Sequence, residues 1–251
     1  MPVKNAPLVM LHAGNVASWM WAPQIAAFDD RPVVTPDLPG FGTRVGEDWP
    51  GLDAAADDVV AQVDALGTSG HFDLVGLSLG GAVAMRVLAR HPHRVRTAFI
   101  TSAIAVPPPA GLKAVSRLQL ALWPRAAFWR AQAAALRLPA DSRSRFVQHG
   151  LTVRQETADA MTADILHGGL PAGIVSFTGP LLVVGGEKDY RAVRKSLFVI
   201  KNAVPQGHAR LAPGMHHAWN IEDPELFNDV LRQWLGGTVS DRLLEVPARL
   251  R

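Results

Sequence analysis

Ser78 stands in Gly76-Leu-Ser-Leu-Gly80, between an apolar run, Phe72–Leu77, and a stretch rich in small residues, Leu79–Arg90. A serine hydroxyl is a weak nucleophile at neutral pH and attacks a carbonyl only when a base removes its proton. Histidine is the usual base, and a carboxylate must orient it. Gly76, Gly80 and Gly81 let a helix leave a strand abruptly, which lifts the hydroxyl clear of the sheet. A Gly-x-Ser-x-Gly pattern carries meaning only with a strand before it and a helix after it. Both are read here.

In this arrangement the acid and then the histidine follow the serine along the chain, each at the end of a later strand. After the apolar run 96–101 no Asp or Glu occurs until Asp141. After the run 180–184 comes Gly185-Gly-Glu-Lys-Asp189, which offers Glu187 and Asp189. Asp189 is favoured because two further residues of loop allow it to turn back toward the site. After 208–211 comes Ala212-Pro-Gly-Met-His-His217, and one backbone geometry can present only one of its two histidines.

The elements that must position these groups are legible as alternation. Apolar runs at 8–11, 32–35, 72–77, 96–101, 180–184 and 208–211 read as strands. Helical patterns at 18–28, 52–66, 79–90, 192–203 and 224–235 fall between them. Such alternation argues for parallel βαβ units in a doubly wound α/β sheet. It stops between 106 and 177, where an Ala/Arg/Leu/Trp-rich helical pattern replaces it. The expectation is a core of 1–105 and 178–237, a helical insertion at 106–177 and a loosely attached tail at 238–251.

Composition narrows the function. The 251 residues suffice for one large core, and 48% hydrophobic with 19% charged residues fits a globular chain. A net charge of +3 with no basic run interleaved with aromatics gives no nucleic-acid footprint. No apolar stretch reaches the ~20 residues of a membrane span. The absence of cysteine removes disulfides, thiolate metal sites and a cysteine nucleophile together. The first residues lack the basic, apolar, then small order of a signal peptide, so a cytoplasmic enzyme is expected.

These pieces together resemble the α/β-hydrolases. The matching segments are Leu11-His-Ala-Gly14 with Trp21, Asp37-Leu-Pro-Gly-Phe-Gly42, Gly76-Leu-Ser-Leu-Gly80, Gly186-Glu-Lys-Asp189, and His217 with Glu222, Pro224 and Phe227. The resemblance implies that the catalytic histidine precedes a Glu by five residues and a Pro by seven, which His217 satisfies and His216 does not. It implies a Ser78–Asp189–His217 triad beneath a helical cap, with no metal or organic cofactor. It also implies an oxyanion hole from the amides of Leu79 and of Gly14, with Asn15 the fallback, because Ala13 fills the usual Gly place. With only seven residues ahead of Leu8, the first edge hairpin of the family is expected to be missing or shortened, leaving about six parallel strands.

The implied reaction is two-step acyl transfer on a small or medium ester, lactone or thioester. Carbon–carbon hydrolysis, lyase steps or cofactor-free perhydrolysis on the same triad are alternatives, as is a slow or non-catalytic binding protein on the fold. Candidate substrate-binding residues are His12, Asn15, Trp123, Phe128, Trp129 and His216. Trp123, Phe128 and Trp129 fit a pocket wall and the packing of the insertion equally well. His12 reads more as a brace for the oxyanion loop than as a proton carrier.

Overall fold

In the computed structural model, which describes residues 6–67, 70–106 and 119–247, one seven-stranded sheet runs through the molecule. Its strands are β1 (Leu8–Leu11), β2 (Val33–Val34), β3 (Phe72–Leu77), β4 (Val95–Thr101), β5 (Leu181–Gly186), β6 (Gly207–Ala212) and β7 (Leu244–Glu245). They are ordered β2-β1-β3-β4-β5-β6-β7, parallel except for antiparallel β7. Among the described residues no strand pairs with the outer side of β2. β1, β3 and β5 are buried along their whole length, as strands covered on both faces must be.

The helices are α1 (Ala22–Ala27), α2 (Leu52–Ala65), α3 (Leu79–Arg90), α4 (Ala126–Ala135), α5 (Ala140–Thr152), α6 (Gln155–Gly168), α7 (Arg191–Asn202), α8 (Trp219–Glu222) and α9 (Pro224–Leu235). Two neighbours on β4 show that helices cover both faces. Ile100 meets α3 at Gly81, while Phe99 stacks edge-on against Phe227 of α9, and successive strand residues point to opposite faces. α9 starts on an Asp223 cap that accepts the Leu226 amide, with Pro224 next to it. Its buried Trp234 donates to the Ala98 carbonyl of β4.

Between β4 and β5 the chain leaves the sheet for α4, α5, α6 and a short 3-10 turn, Ala172–Ser176. Residues 107–118, the opening of this insertion, lie outside the described residues. One face of α6 ties it to the core. At its start Arg154 donates to the Glu47 carbonyl and pairs with Asp48, and further along Asp164 accepts the Trp49 indole N–H. Between them Thr157 lies against Gly40 and Met161 against Gly14. Residues 154, 157, 161 and 164 recur at the three- and four-residue spacing of one helical face.

The C-terminal stretch corrects an expectation. Residues 238–247 are not loose, because Leu244–Glu245 pairs with Arg210 and Leu211 of β6. Ser240 and Leu243 are buried, and Arg210 forms an ion pair with Glu245. β6 would otherwise be an unpaired edge, and β7 covers it. Among the described residues no helix is long and apolar enough to cross a membrane.

Candidate active site

Ser78 occupies the one-residue junction between β3 and α3 with φ 56° and ψ −111°, a left-handed conformation costly for any residue with a β-carbon. Its amide donates to the Thr101 carbonyl, and its own carbonyl accepts from Ala82, so the junction is held from both sides. Glycine is required beside it. A β-carbon on Gly76 would lie 2.3 Å from the Gly80 carbonyl oxygen, and one on Gly80 would lie 2.1 Å from that of Leu11.

The loops after β5 and β6 bring their side chains to Ser78. His217 Nε2 lies 3.0 Å from Ser78 Oγ, and His217 Nδ1 lies 2.9 Å from Asp189 Oδ1. Burial opposes a charge on Asp189. The attraction of His217 and its hydrogen bond outweigh this and hold the carboxyl below its usual range, with help from the Tyr190 amide. The Ser102 hydroxyl also favours the charge, although its own hydrogen bond goes to the His217 carbonyl oxygen at 2.9 Å. Glu187, the other acid on this loop, is exposed and accepts the Gly214 amide instead.

The structure also brings the loop after β1 against Leu79. A β-carbon on Gly14 would lie 3.8 Å from Leu79 Cβ and 3.0 Å from Met161 Sδ. The Ala13 N–H is spent on Met20 Sδ, which makes Gly14 the next amide on this loop. Leu79 opens α3, so its N–H has no acceptor within the helix. Asn15, half-buried at φ 64°, completes the turn.

His12, Trp123, Phe128 and Trp129 are corrected as substrate contacts, and His12 is the brace that its sequence position suggested. His12 is fully buried; its Nε2 accepts the Leu38 amide, so the proton sits on Nδ1, which bonds the Ala13 carbonyl. Burial lowers its pKa to about 4, and as a neutral ring it links the loop after β1 to Asp37-Leu-Pro-Gly-Phe-Gly42. Trp123 and Trp129 are buried inside the insertion, with their indole N–H groups on the carbonyls of Val153 and Trp123. They stack with Phe146 and with the half-buried Phe128, so this aromatic group is the insertion's own core. His216 does border the site. Glu222 accepts both its backbone N–H and its ring Nδ1, each at 2.8 Å.

A cavity of about 60 Å³ adjoins His217, lined by Ala135, Leu136, Lys188, Tyr190 and His216. The exposed Tyr190 ring lies 5.2 Å from that of His217. A larger groove of about 560 Å³ runs between α4 and α5, but no residue of the Ser78–His217–Asp189 line borders it. The smaller cavity is bordered by Asp189 and His217 of that line, and Ser78 is not among its lining residues. The residues missed in the sequence are Ser102, Leu136, Met161 and Tyr190. Ser102 alone left a trace, standing directly after a strand.

The sequence pattern of the alpha/beta hydrolase family matches residues 8–230. The chain belongs to that family. Among full-length relatives of this hydrolase is RutD of Agrobacterium fabrum, provisionally named a carbamate hydrolase, 29% identical over 92% of this chain and 94% of that protein. Est816, solved as an N-acyl homoserine lactone degrading enzyme, is 26% identical with a TM-score of 0.73, covering 92% of this hydrolase and 93% of that chain. A thermophilic esterase from Thermogutta terrifontis shares the fold at TM-score 0.77 and 22% identity, over 94% and 92% of the two chains. This hydrolase is therefore an enzyme of the α/β fold, and the relatives differ in the carbonyl compound for which they are named.

Proposed function

We propose that the chain is a serine hydrolase that opens a small or medium ester, lactone or thioester through an acyl-enzyme on Ser78. The observation that carries the reading is the hydrogen-bonded line from Ser78 Oγ through His217 to Asp189, 3.0 and 2.9 Å long. His217 Nε2 takes the hydroxyl proton as Oγ attacks the carbonyl carbon. Negative charge collects on the carbonyl oxygen, where the Leu79 and Gly14 amides receive it, each worth about 3 kcal/mol in the transition state. Asp189 keeps the proton of neutral His217 on Nδ1 and stabilises the ring once it is charged. His217 then returns its proton to the departing oxygen or sulfur, and water releases the acyl group by the same steps.

The described part of the insertion, residues 119–177, acts as a cap over the strand ends. The about 60 Å³ beside His217 holds roughly two waters, so a substrate enters by turning side chains such as Tyr190 aside. The likeness to Est816 supports a lactone among the substrates. The full-length likeness to RutD adds carbamates, whose carbonyl passes through the same kind of tetrahedral intermediate.

Two measurements test the reading. A fluorophosphonate is expected to label Ser78 covalently, which a binding-only protein would not allow. Ser78→Ala is expected to lower kcat on aryl esters, lactones and carbamates by at least about 10⁴-fold while leaving the fold intact. Undiminished turnover by that variant overturns the assignment.

A further inference from the structure

A carbonyl bound at Ser78 has an acyl side and a leaving-group side, and Met161 stands on one of them. In the tetrahedral intermediate the leaving group must reach His217 Nε2, so it lies on the histidine side. The acyl chain points the other way, past the amides of Gly14 and Leu79. The two sides differ. On the histidine side the lining residues Tyr190 and Lys188 are exposed to solvent. On the oxyanion side stands Met161, 4% exposed, with Sδ 3.0 Å and Cε 3.6 Å from the point a β-carbon on Gly14 would occupy.

Met161 is also held from behind. It lies between Thr157 and Asp164 on the face of α6 that the Arg154–Asp48 and Trp49–Asp164 contacts fasten to the core. A methionine on a free helix adapts to what it meets, but one on a helix fastened at both ends yields only by rotamer. Met161 Sδ stands closer than ordinary van der Waals contact to where a β-carbon on Gly14 would be, so its side chain fills the space that a larger residue at position 14 would take.

We infer that Met161 sets the length limit on the acyl side, making the preferred substrate a short acyl group carried on a larger leaving group. This rests on the acyl-enzyme reading of Ser78. The test uses two ester series on the purified full chain, one varying the acyl group at constant alcohol and one varying the alcohol at constant acyl group. Met161→Ala and the milder Met161→Val are expected to raise the hexanoyl-to-acetyl ratio of kcat/KM by at least about tenfold, since even one methylene in such a pocket is worth that much. Met161→Phe is expected to lower the ratio, and the alcohol series is expected to keep its profile in all three. An unchanged acyl ratio, or a shift confined to the alcohol series, overturns the inference.

Phosphonofluoridates of increasing alkyl length give the same comparison as labelling rates at Ser78, independent of turnover. Labelling that keeps its length dependence in the variants also overturns it. Loss of all ester turnover with labelling retained overturns the substrate reading of Ser78, while the labelling ratios still decide Met161. Loss of both overturns both.

Discussion

Two acids share the loop after β5, and their surroundings divide the work between them. Asp189 is buried against His217, whereas Glu187 is exposed and holds the Gly214 amide. Asp189→Asn is expected to lower kcat/KM by about 10⁴-fold, because it removes the charge that stabilises protonated His217 and allows the wrong tautomer. Glu187→Gln, a surface change, is expected to stay within about threefold. Equal losses in the two variants would reassign the acid. His12 makes a prediction in pH. Its folded pKa of about 4 lies below the usual histidine value of 6.5, so the unfolded chain takes up a proton first as the pH falls. Its contribution is therefore complete above pH 6.5 and is lost between 6.5 and 4, by up to about 3 kcal/mol. His12→Gln is expected to flatten the Tm–pH curve in that window, above the range where carboxylates titrate; parallel curves would show that another group is responsible. Ser78, Asp189 and His217 were legible because side-chain type and chain order are properties of sequence. The fate of Trp123, Trp129 and His12 was not, since an aromatic ring faces a cavity or its neighbours according to packing that only the folded chain decides.

At the scale of elements, α3 is pressed so closely to β1 that the approach fixes the sequence. Gly80→Ala would push its β-carbon into the Leu11 and His12 carbonyls, which are backbone and cannot rotate away. A loss of about 3 kcal/mol is expected in chemical denaturation, together with a loss of turnover as the junction at Ser78 shifts. An unchanged midpoint would mean that α3 slides freely along the sheet. The strand and helix alternation was readable because burial on both faces gives short continuous apolar runs, and a half-buried helix gives a periodic one. Its limits were less so. The 18–28 helical pattern divides into a 3-10 turn, Ser18–Trp21, and α1, and the strand at 32–35 shortens to Val33–Val34, with the Pro32 carbonyl accepting the Leu8 amide. In the insertion the Ala-rich pattern announced helix but not the stripe on α6, whose Arg, Thr, Met and Asp share no hydrophobic signal. They share only a partner surface.

For the whole molecule, β7 closes the sheet. Deleting 238–251 would remove the β7 partners of Arg210 and Leu211 and the buried Leu243. The truncated chain is expected to melt several degrees lower, by about 2–4 °C for each kcal/mol lost at this size, and to self-associate through the β6 edge. Equal melting and a monodisperse species would assign β7 no structural role. The pairing of β4 with β5 has a consequence of another kind. The strands are parallel, so the long excursion leaves the end of β4 at Thr101 and returns to the start of β5 at Leu181, the register partner of Ala98 three residues back along β4. Closing such an excursion costs only about 0.6 kcal/mol more when its length doubles. Its content can therefore be exchanged without moving Ser78 relative to Asp189 or His217, provided the replacement keeps a glycine at the point where Gly173 meets Ala89 on α3. Selectivity and bond breaking are thus separately editable, and a segment grafted from a relative between Ser102 and Phe177 would bring a foreign substrate range to an unaltered reaction centre.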